Sequence, residues 1–169
     1  RVDEASVRAA LHAEGASPRD QADARAELKA SVVSARHSDA LVIGADQILE
    51  HDGVAFGKPE TAEALAAQLR HLRGRQHRLF TAVVLCEAGR PVWRHLDEAR
   101  LTMRDFSDTY LDSYLARNIS DLYDTVGGYK IESEGLRLFS QLEGAHSTIL
   151  GLPLLPLLGY LGNRGFIEA

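Results

Sequence analysis

The sequence predicts an α/β domain. Three observations carry that expectation. Compact apolar runs such as Leu41-Val42-Ile43-Gly44 and Ala82-Val83-Val84-Leu85 have the length and branching of buried strands. Segments opened by helix-start signals lie between them, at Ser17-Pro18-Arg19-Asp20, Pro59-Glu60-Thr61 and Ser107-Asp108. The two kinds of segment are interspersed along the chain rather than segregated. With 169 residues, 45% of them hydrophobic and 25% charged, the chain suits one globular domain, or at most two small subdomains, with a sizeable core.

Residues 4–13 read as a short helix. At the second helix Ser17 is the N-cap, Pro18 sits in the first turn and Asp20 follows three residues after the cap. That helix should reach about Ala35, with Ala22, Ala26, Leu28 and Val32 among its apolar or small positions. Leu41–Gly44 begins a buried strand that Gln47–Glu50 continues, and Asp52-Gly53 is a hairpin-turn signal. Pro59 and Thr61 open a helix with Ala64, Leu65, Leu69 and Leu72 on its inner side, and Gly74 ends it. Leu79–Cys86 and Pro91–Met103 read as two longer strands joined by a turn at Ala88-Gly89-Arg90. Ser107-Asp108 caps a helix through about Arg117. Leu136–Leu142 reads as a strand and Leu154–Leu161 as a terminal helix. No internal repeat, low-complexity tract or linker interrupts the series.

Composition narrows the function. The 19 Lys and Arg against 24 Asp and Glu give a net charge of −5, which argues against broad, sequence-independent binding to nucleic acid. A local cationic pocket remains compatible with it. The single cysteine, Cys86, permits no internal disulfide and gives no zinc signature; it follows an apolar run, as a packed strand thiol would. No stretch of about 18 apolar residues suits a membrane span, and no signal peptide opens the chain, so the expected location is cytoplasmic.

Familiar catalytic motifs fail. Gly53–Lys58 superficially looks like a phosphate loop, but its spacing is one residue short and Pro59 replaces the Ser or Thr that would hold magnesium. None of the seven histidines forms a His-Glu-x-x-His helix, and there is no Gly-x-Ser-x-Gly elbow. What remains is charge in unusual places. Asp46 follows a buried apolar strand, where a carboxylate can bind a metal or activate water; a solvated turn aspartate is the alternative. Lys58 is pinned between Gly57 and Pro59, which could aim its ammonium at a phosphate; a plain loop lysine would look the same. Lys29 in an Ala-rich helix and Glu4 at a helix start each have an ordinary surface reading beside a functional one.

Two regional features add weight. Lys58, Arg70, Arg73, Arg75 and Arg78 outnumber Glu60 and Glu63, a basic stretch that could hold a polyphosphate with a divalent metal. A solvated helix face would account for Arg70 and Arg73 equally well. Gly127-Gly128-Tyr129-Lys130-Ile131-Glu132 combines backbone freedom, an aromatic ring and a carboxylate, which suits a loop that approaches and stacks on a base. An ordinary turn entering a strand is the competing reading.

Taken in order, these stretches resemble the Maf family of nucleoside triphosphate pyrophosphatases. The matching pieces are Val2-Asp3-Glu4, Glu27-Leu28-Lys29-Ala30, Val42-Ile43-Gly44-Ala45-Asp46 and Gly57-Lys58-Pro59. They continue through Leu72-Arg73-Gly74-Arg75-Gln76-His77 to Thr81, then Gly128-Tyr129-Lys130-Ile131-Glu132 and Gly151-Leu152-Pro153. Each piece is short; their order and spacing together are specific, and they cover almost the whole chain. The resemblance implies a Maf-type, ITPase-like α/β fold, with two lobes around a cleft and a long curved mixed sheet. It implies hydrolysis of a nucleoside triphosphate to the monophosphate and pyrophosphate with a divalent cation, magnesium or manganese. Asp46 matches the family's proton acceptor, Glu4 would assist in metal or water binding, and Lys29 and Lys58 would neutralise phosphates. His77 and Thr81 fall at family positions near the site.

The sequence also departs from the family pattern. The family's Ser-x-Ser-Pro-Arg-Arg phosphate loop precedes the element that Asp3-Glu4 matches, whereas Ser17-Pro18-Arg19 follows it and reads as a helix cap. Residues 1–169 are therefore expected to form a single Maf-like domain without its first strand and phosphate loop. Gln47 stands where dTTP- and UTP-preferring members carry Thr, and Glu132 where they carry Gln. Both resemble the branch acting on 7-methyl-GTP, and a carboxylate at Glu132 could accept guanine's N1–H and N2–H donors. The alternatives are a pyrimidine triphosphate substrate, or a non-catalytic nucleotide-binding regulator of septum formation. The family also makes a homodimer plausible.

Overall fold

The computed structural model describes residues 10–11 and 15–168. Within them five strands form one sheet, β1 (Leu41–His51), β2 (Val54–Phe56), β3 (Gln76–Glu87), β4 (Arg90–Met103) and β5 (Phe139–Glu143), in the order β2-β1-β3-β4-β5. Five α-helices accompany it: α1 (Pro18–Ser34), α2 (Ala62–Leu72), α3 (Asp108–Leu122), α4 (His146–Ile149) and α5 (Leu154–Asn163). The expected α/β class holds. Every pairing among the described residues is antiparallel, where a mixed sheet was expected.

Local chemistry sets most boundaries. The Ser17 hydroxyl accepts the Asp20 N–H at 3.1 Å and starts α1. Thr61 and Ser107 cap α2 and α3 in the same way. Asp52 and Gly53 both take positive φ, 52° and 81°, giving the tight β1–β2 turn whose twist matches the strands. Ala88 and Gly89, at 47° and 77°, do the same between β3 and β4.

One expectation needs correcting. Leu136–Leu142 is not one strand: Glu134–Leu138 is a 3-10 turn and only Phe139–Glu143 pairs with β4. The buried face of α1 is Ala22, Ala26, Ala30 and Ser34, with Gln21, and Leu28 and Val32 lie off it. Small residues every fourth position let the helix lie close to the sheet. The contact is closest at Gly44, where a Cβ would meet the Ala26 carbonyl oxygen and stand 2.7 Å from the Ala30 nitrogen.

Side chains alternate across the sheet. Phe80, Ala82, Val84 and Cys86 of β3 face α1, together with Ile48 of β1. Leu79 and Leu49 face the larger core, built with Leu65, Leu69 and Leu72 of α2, Leu111 and Leu115 of α3, and Phe139. Strand β2 covers only Leu49–His51 of β1. Among the described residues, the stretch of β1 carrying Asp46 and Gln47 is paired on its β3 side alone.

Candidate active site

That edge of β1 is one wall of a cleft of about 590 Å³. Lys29, Asp46, Gln47, Lys58 and Glu132 all line it, five sequence candidates separated by as many as 103 residues. Asp46 and Gln47 are neighbours on a strand and so point to opposite faces of the sheet; the cleft wraps around the edge and reaches both.

Asp46 is not a solvated turn residue. It lies inside β1, opposite Ala82, with its side chain 4% exposed. A carboxylate that far from water needs compensating charge. Helix α1 supplies it: Lys29 Nζ lies 2.7 Å from Oδ1 and Arg25 Nε 3.2 Å from Oδ2. The two cations are four residues apart, one helical turn, so the close α1–β1 contact at Gly44 aims both. Arg25 was not singled out in the sequence. The usable signal was its i, i+4 spacing from Lys29, which gains meaning only when α1 is set in register with Asp46.

Gln47 turns the other way. Its amide nitrogen donates to the Thr81 hydroxyl at 2.9 Å and to the carbonyls of Thr148 and Ile149 at 3.0 and 3.1 Å. Thr81 in turn donates to the Thr148 carbonyl at 2.9 Å, and the Thr148 hydroxyl donates to Asp97 Oδ2 at 2.8 Å. Gln47, Thr81 and Asp97 are register partners across β1, β3 and β4. They form a polar row that grips α4, and Leu150 and Gly151, which follow α4, line the cleft.

His77 and Thr81 do not line the cleft. Thr81 is fully buried in the polar row. His77 is 1% exposed, and its Nε2 lies 2.7 Å from the Tyr129 hydroxyl. Burial pushes its pKa down to about 4, so the ring is neutral at neutral pH. Tyr129 itself is 7% exposed and packs edge-on against Phe139, with ring centroids 4.7 Å apart. It is an anchor for the loop rather than the open stacking face expected from the sequence. Gly128 takes φ 72° to bring the chain there, against Leu65. An exposed aromatic side chain on the cleft wall is that of Tyr123, which was not singled out from the sequence.

The basic stretch also resolves. Lys58 reaches the cleft, whereas Arg70 and Arg73 tie α2 to Asp108 at the start of α3, and Arg78 pairs with the buried Glu50. None of Arg70, Arg73, Arg75 and Arg78 lines the cleft. Glu4 lies outside the described residues. Among those described, no group of three or more His, Cys, Asp or Glu side chains converges as a metal cage, and no helix is long and apolar enough to cross a membrane.

Comparison with known proteins shows the family. The family model described as Maf-like protein matches residues 1–164. The chain belongs to the Maf-like family. A relative from Ruegeria pomeroyi, named nucleoside triphosphate pyrophosphatase, is 51% identical over 168 residues, covering 99% of this chain and 84% of the relative. One of the same name from Roseobacter denitrificans is 51% identical, covering 98% and 83%. Another from Caulobacter vibrioides is 47% identical, covering 97% and 82%.

Proposed function

We propose that this Maf-like protein is a nucleoside triphosphate pyrophosphatase, a hydrolase that splits the bond between the α-phosphorus and the α,β-bridging oxygen. The observation that carries this reading is Asp46, a nearly buried carboxylate held between two helix-borne cations in a cleft that Lys58 also lines. The relatives' name supplies the reaction class. Asp46 accepts the proton of the attacking water, the water oxygen bonds to the α-phosphorus, and pyrophosphate leaves. Lys29 and Lys58 neutralise the negative charge that gathers on the departing phosphates.

This reading includes a magnesium or manganese ion that arrives with the substrate, since Asp46 lines the cleft as a carboxylate. Magnesium takes one or two protein carboxylates and completes its shell with phosphate oxygens and water. Asp46 would provide one carboxylate; Glu4, the family resemblance's candidate for a second, lies outside the described residues. Such an ion supplies charge neutralisation at the phosphoryl oxygens.

For the base, the reading favours 7-methyl-GTP. Glu132 is exposed on the cleft wall and is acceptor-only when ionised. The Gln47 amide nitrogen is already committed to protein oxygens, so its carbonyl is the group it can offer a ligand. Two acceptors suit guanine's N1–H and N2–H edge, and the carboxylate suits the cationic methylated ring.

The test is pyrophosphate release from a panel of nucleotides with magnesium or manganese. Asp46→Asn should lower kcat/KM by about 100-fold or more; undiminished turnover sinks the assignment. Glu132→Gln should shift preference from 7-methyl-GTP towards UTP and dTTP. An unchanged ranking, or a wild-type preference for the pyrimidines, removes the 7-methyl-GTP reading and leaves the reaction class standing.

A further inference from the structure

Asp46 has two carboxylate oxygens, and each faces a different cation: Oδ1 faces Lys29 at 2.7 Å and Oδ2 faces Arg25 at 3.2 Å. A carboxylate held in this way is engaged on both sides. To take a proton or to join a metal shell it must give up at least one partner. A polyphosphate entering the cleft carries more charge than one carboxylate and competes for the same cations.

The two cations are unequal candidates for that exchange. Lys29 presents an ammonium, a compact point charge that can follow either anion. Arg25 presents a planar guanidinium with five N–H donors, whose fork matches two phosphate oxygens at once. Its Nε forms an ion pair with Asp46 Oδ2 at 3.2 Å, and its side chain, 14% exposed, lies on the cleft wall. Turning the fork towards a phosphate exchanges its present partners for new ones by movement of the side chain, not of the helix. The helix is fixed independently, by the alanine stripe packed over Gly44.

We infer that Arg25 is a phosphate-binding residue of this cleft, one that leaves Asp46 for the polyphosphate of the substrate and so unmasks the carboxylate only when substrate is present. This rests on reading the cleft as a polyphosphate site. It makes the Arg25–Asp46 pair a feature of the empty enzyme. Carboxylate and phosphate then compete for one guanidinium, so removing the carboxylate strengthens anion binding.

The experiment is calorimetric titration of inorganic pyrophosphate into the purified protein, without metal and in the presence of a chelator. Arg25→Met keeps the length of the stem and loses the fork; it should bind pyrophosphate about 10- to 100-fold more weakly than wild type. Arg25→Lys keeps the charge and should fall between the two. Asp46→Asn should bind several-fold more tightly than wild type, a gain that a merely structural Arg25–Asp46 pair would not produce. Circular dichroism and melting temperature confirm that each variant is folded, and if Arg25→Met fails to fold, Arg25→Lys and Asp46→Asn carry the test. Affinity within about twofold of wild type in the folded Arg25 variants, or weaker binding in Asp46→Asn, overturns the inference. Because this readout is binding, it separates from turnover. A wild type that binds pyrophosphate through Arg25 but hydrolyses no nucleotide would refute the proposed function and leave Arg25 in place. A wild type that turns over nucleotide while the Arg25 variants keep both pyrophosphate affinity and KM would do the reverse.

Discussion

At the scale of single residues, the position that decides the site is one with no side chain. Gly44 stands where α1 comes closest to β1, and a Cβ there would lie 2.7 Å from the Ala30 nitrogen and 2.8 Å from its Cβ, besides meeting the Ala26 carbonyl. Backbone cannot swing aside as a flexible side chain can, so Gly44→Ala must push α1 off the sheet. Overpacking of this kind costs about 1–3 kcal/mol. The same helix carries Arg25 and Lys29, so their distances to Asp46 change with it. The expected outcome is a lowered urea midpoint together with a loss of pyrophosphatase activity larger than the unfolded fraction explains. Gly159→Ala in α5 is the control. Nothing lies within 4 Å of a Cβ at that position, and the substitution should stabilise the helix by about 0.4–1 kcal/mol while leaving activity unchanged.

At the scale of elements, α4 is the piece that sequence reasoning overlooked. It spans only His146–Ile149, too short for a hydrophobic period to show. What holds it is a row of polar side chains from three different strands, Gln47, Thr81 and Asp97, meeting Thr148. Thr81→Val keeps shape and removes the hydroxyl that links Gln47 to the Thr148 carbonyl. The Thr148 carbonyl and the Gln47 amide each lose one partner but keep the bond between them, so the cost is that of a lost hydrogen bond, about 0.5–1.5 kcal/mol. Expected with it are a lower melting temperature and a raised KM with little change in kcat, since Leu150 and Gly151 on the cleft wall follow α4. A KM equal to wild type would show that α4 holds its place without the row. The same comparison shows what the sequence discloses. Caps, Gly-containing turns and apolar runs are local, and they located α1, β1, α2, β3, β4 and α3. Asp46, Lys29 and Lys58 were visible as charges beside apolar or constrained backbone. Arg25, Tyr123 and the polar row were not, because each acquires a role only through register between segments distant in sequence.

At the scale of the whole molecule, the buried histidine links fold stability to pH. His77 sits in β3 and touches Tyr129 and Phe139, so its charge state bears on the large core and on the loop that ends at Glu132. Burial and the neighbouring His51 lower its pKa from 6.5 to about 4. In the unfolded chain the ring binds a proton as pH falls through about 6.5, while the folded protein resists until about 4. Between those values the unfolded state holds more protons, so stability rises with pH across the window and is complete above it. The shift corresponds to stability on the order of 3 kcal/mol lost between pH 6.5 and pH 4. Glu134 acts in a separate range. Hydrogen bonds from Arg117 and Asn118 hold its pKa down to about 2, so the contribution of that half-buried group is present above the ordinary carboxylate value of 4.5 and is lost as pH falls from there to about 2. Urea titrations from pH 4 to 8 should therefore show the unfolding free energy climbing to a plateau near neutrality. His77→Leu removes the titrating group and leaves the Tyr129 hydroxyl without its partner, so it should lower the plateau by about 1–3 kcal/mol and flatten the slope between pH 4 and 6.5. A variant that keeps the wild-type slope would assign the acid sensitivity to other groups, and one that keeps the plateau would show that Tyr129 does not depend on His77.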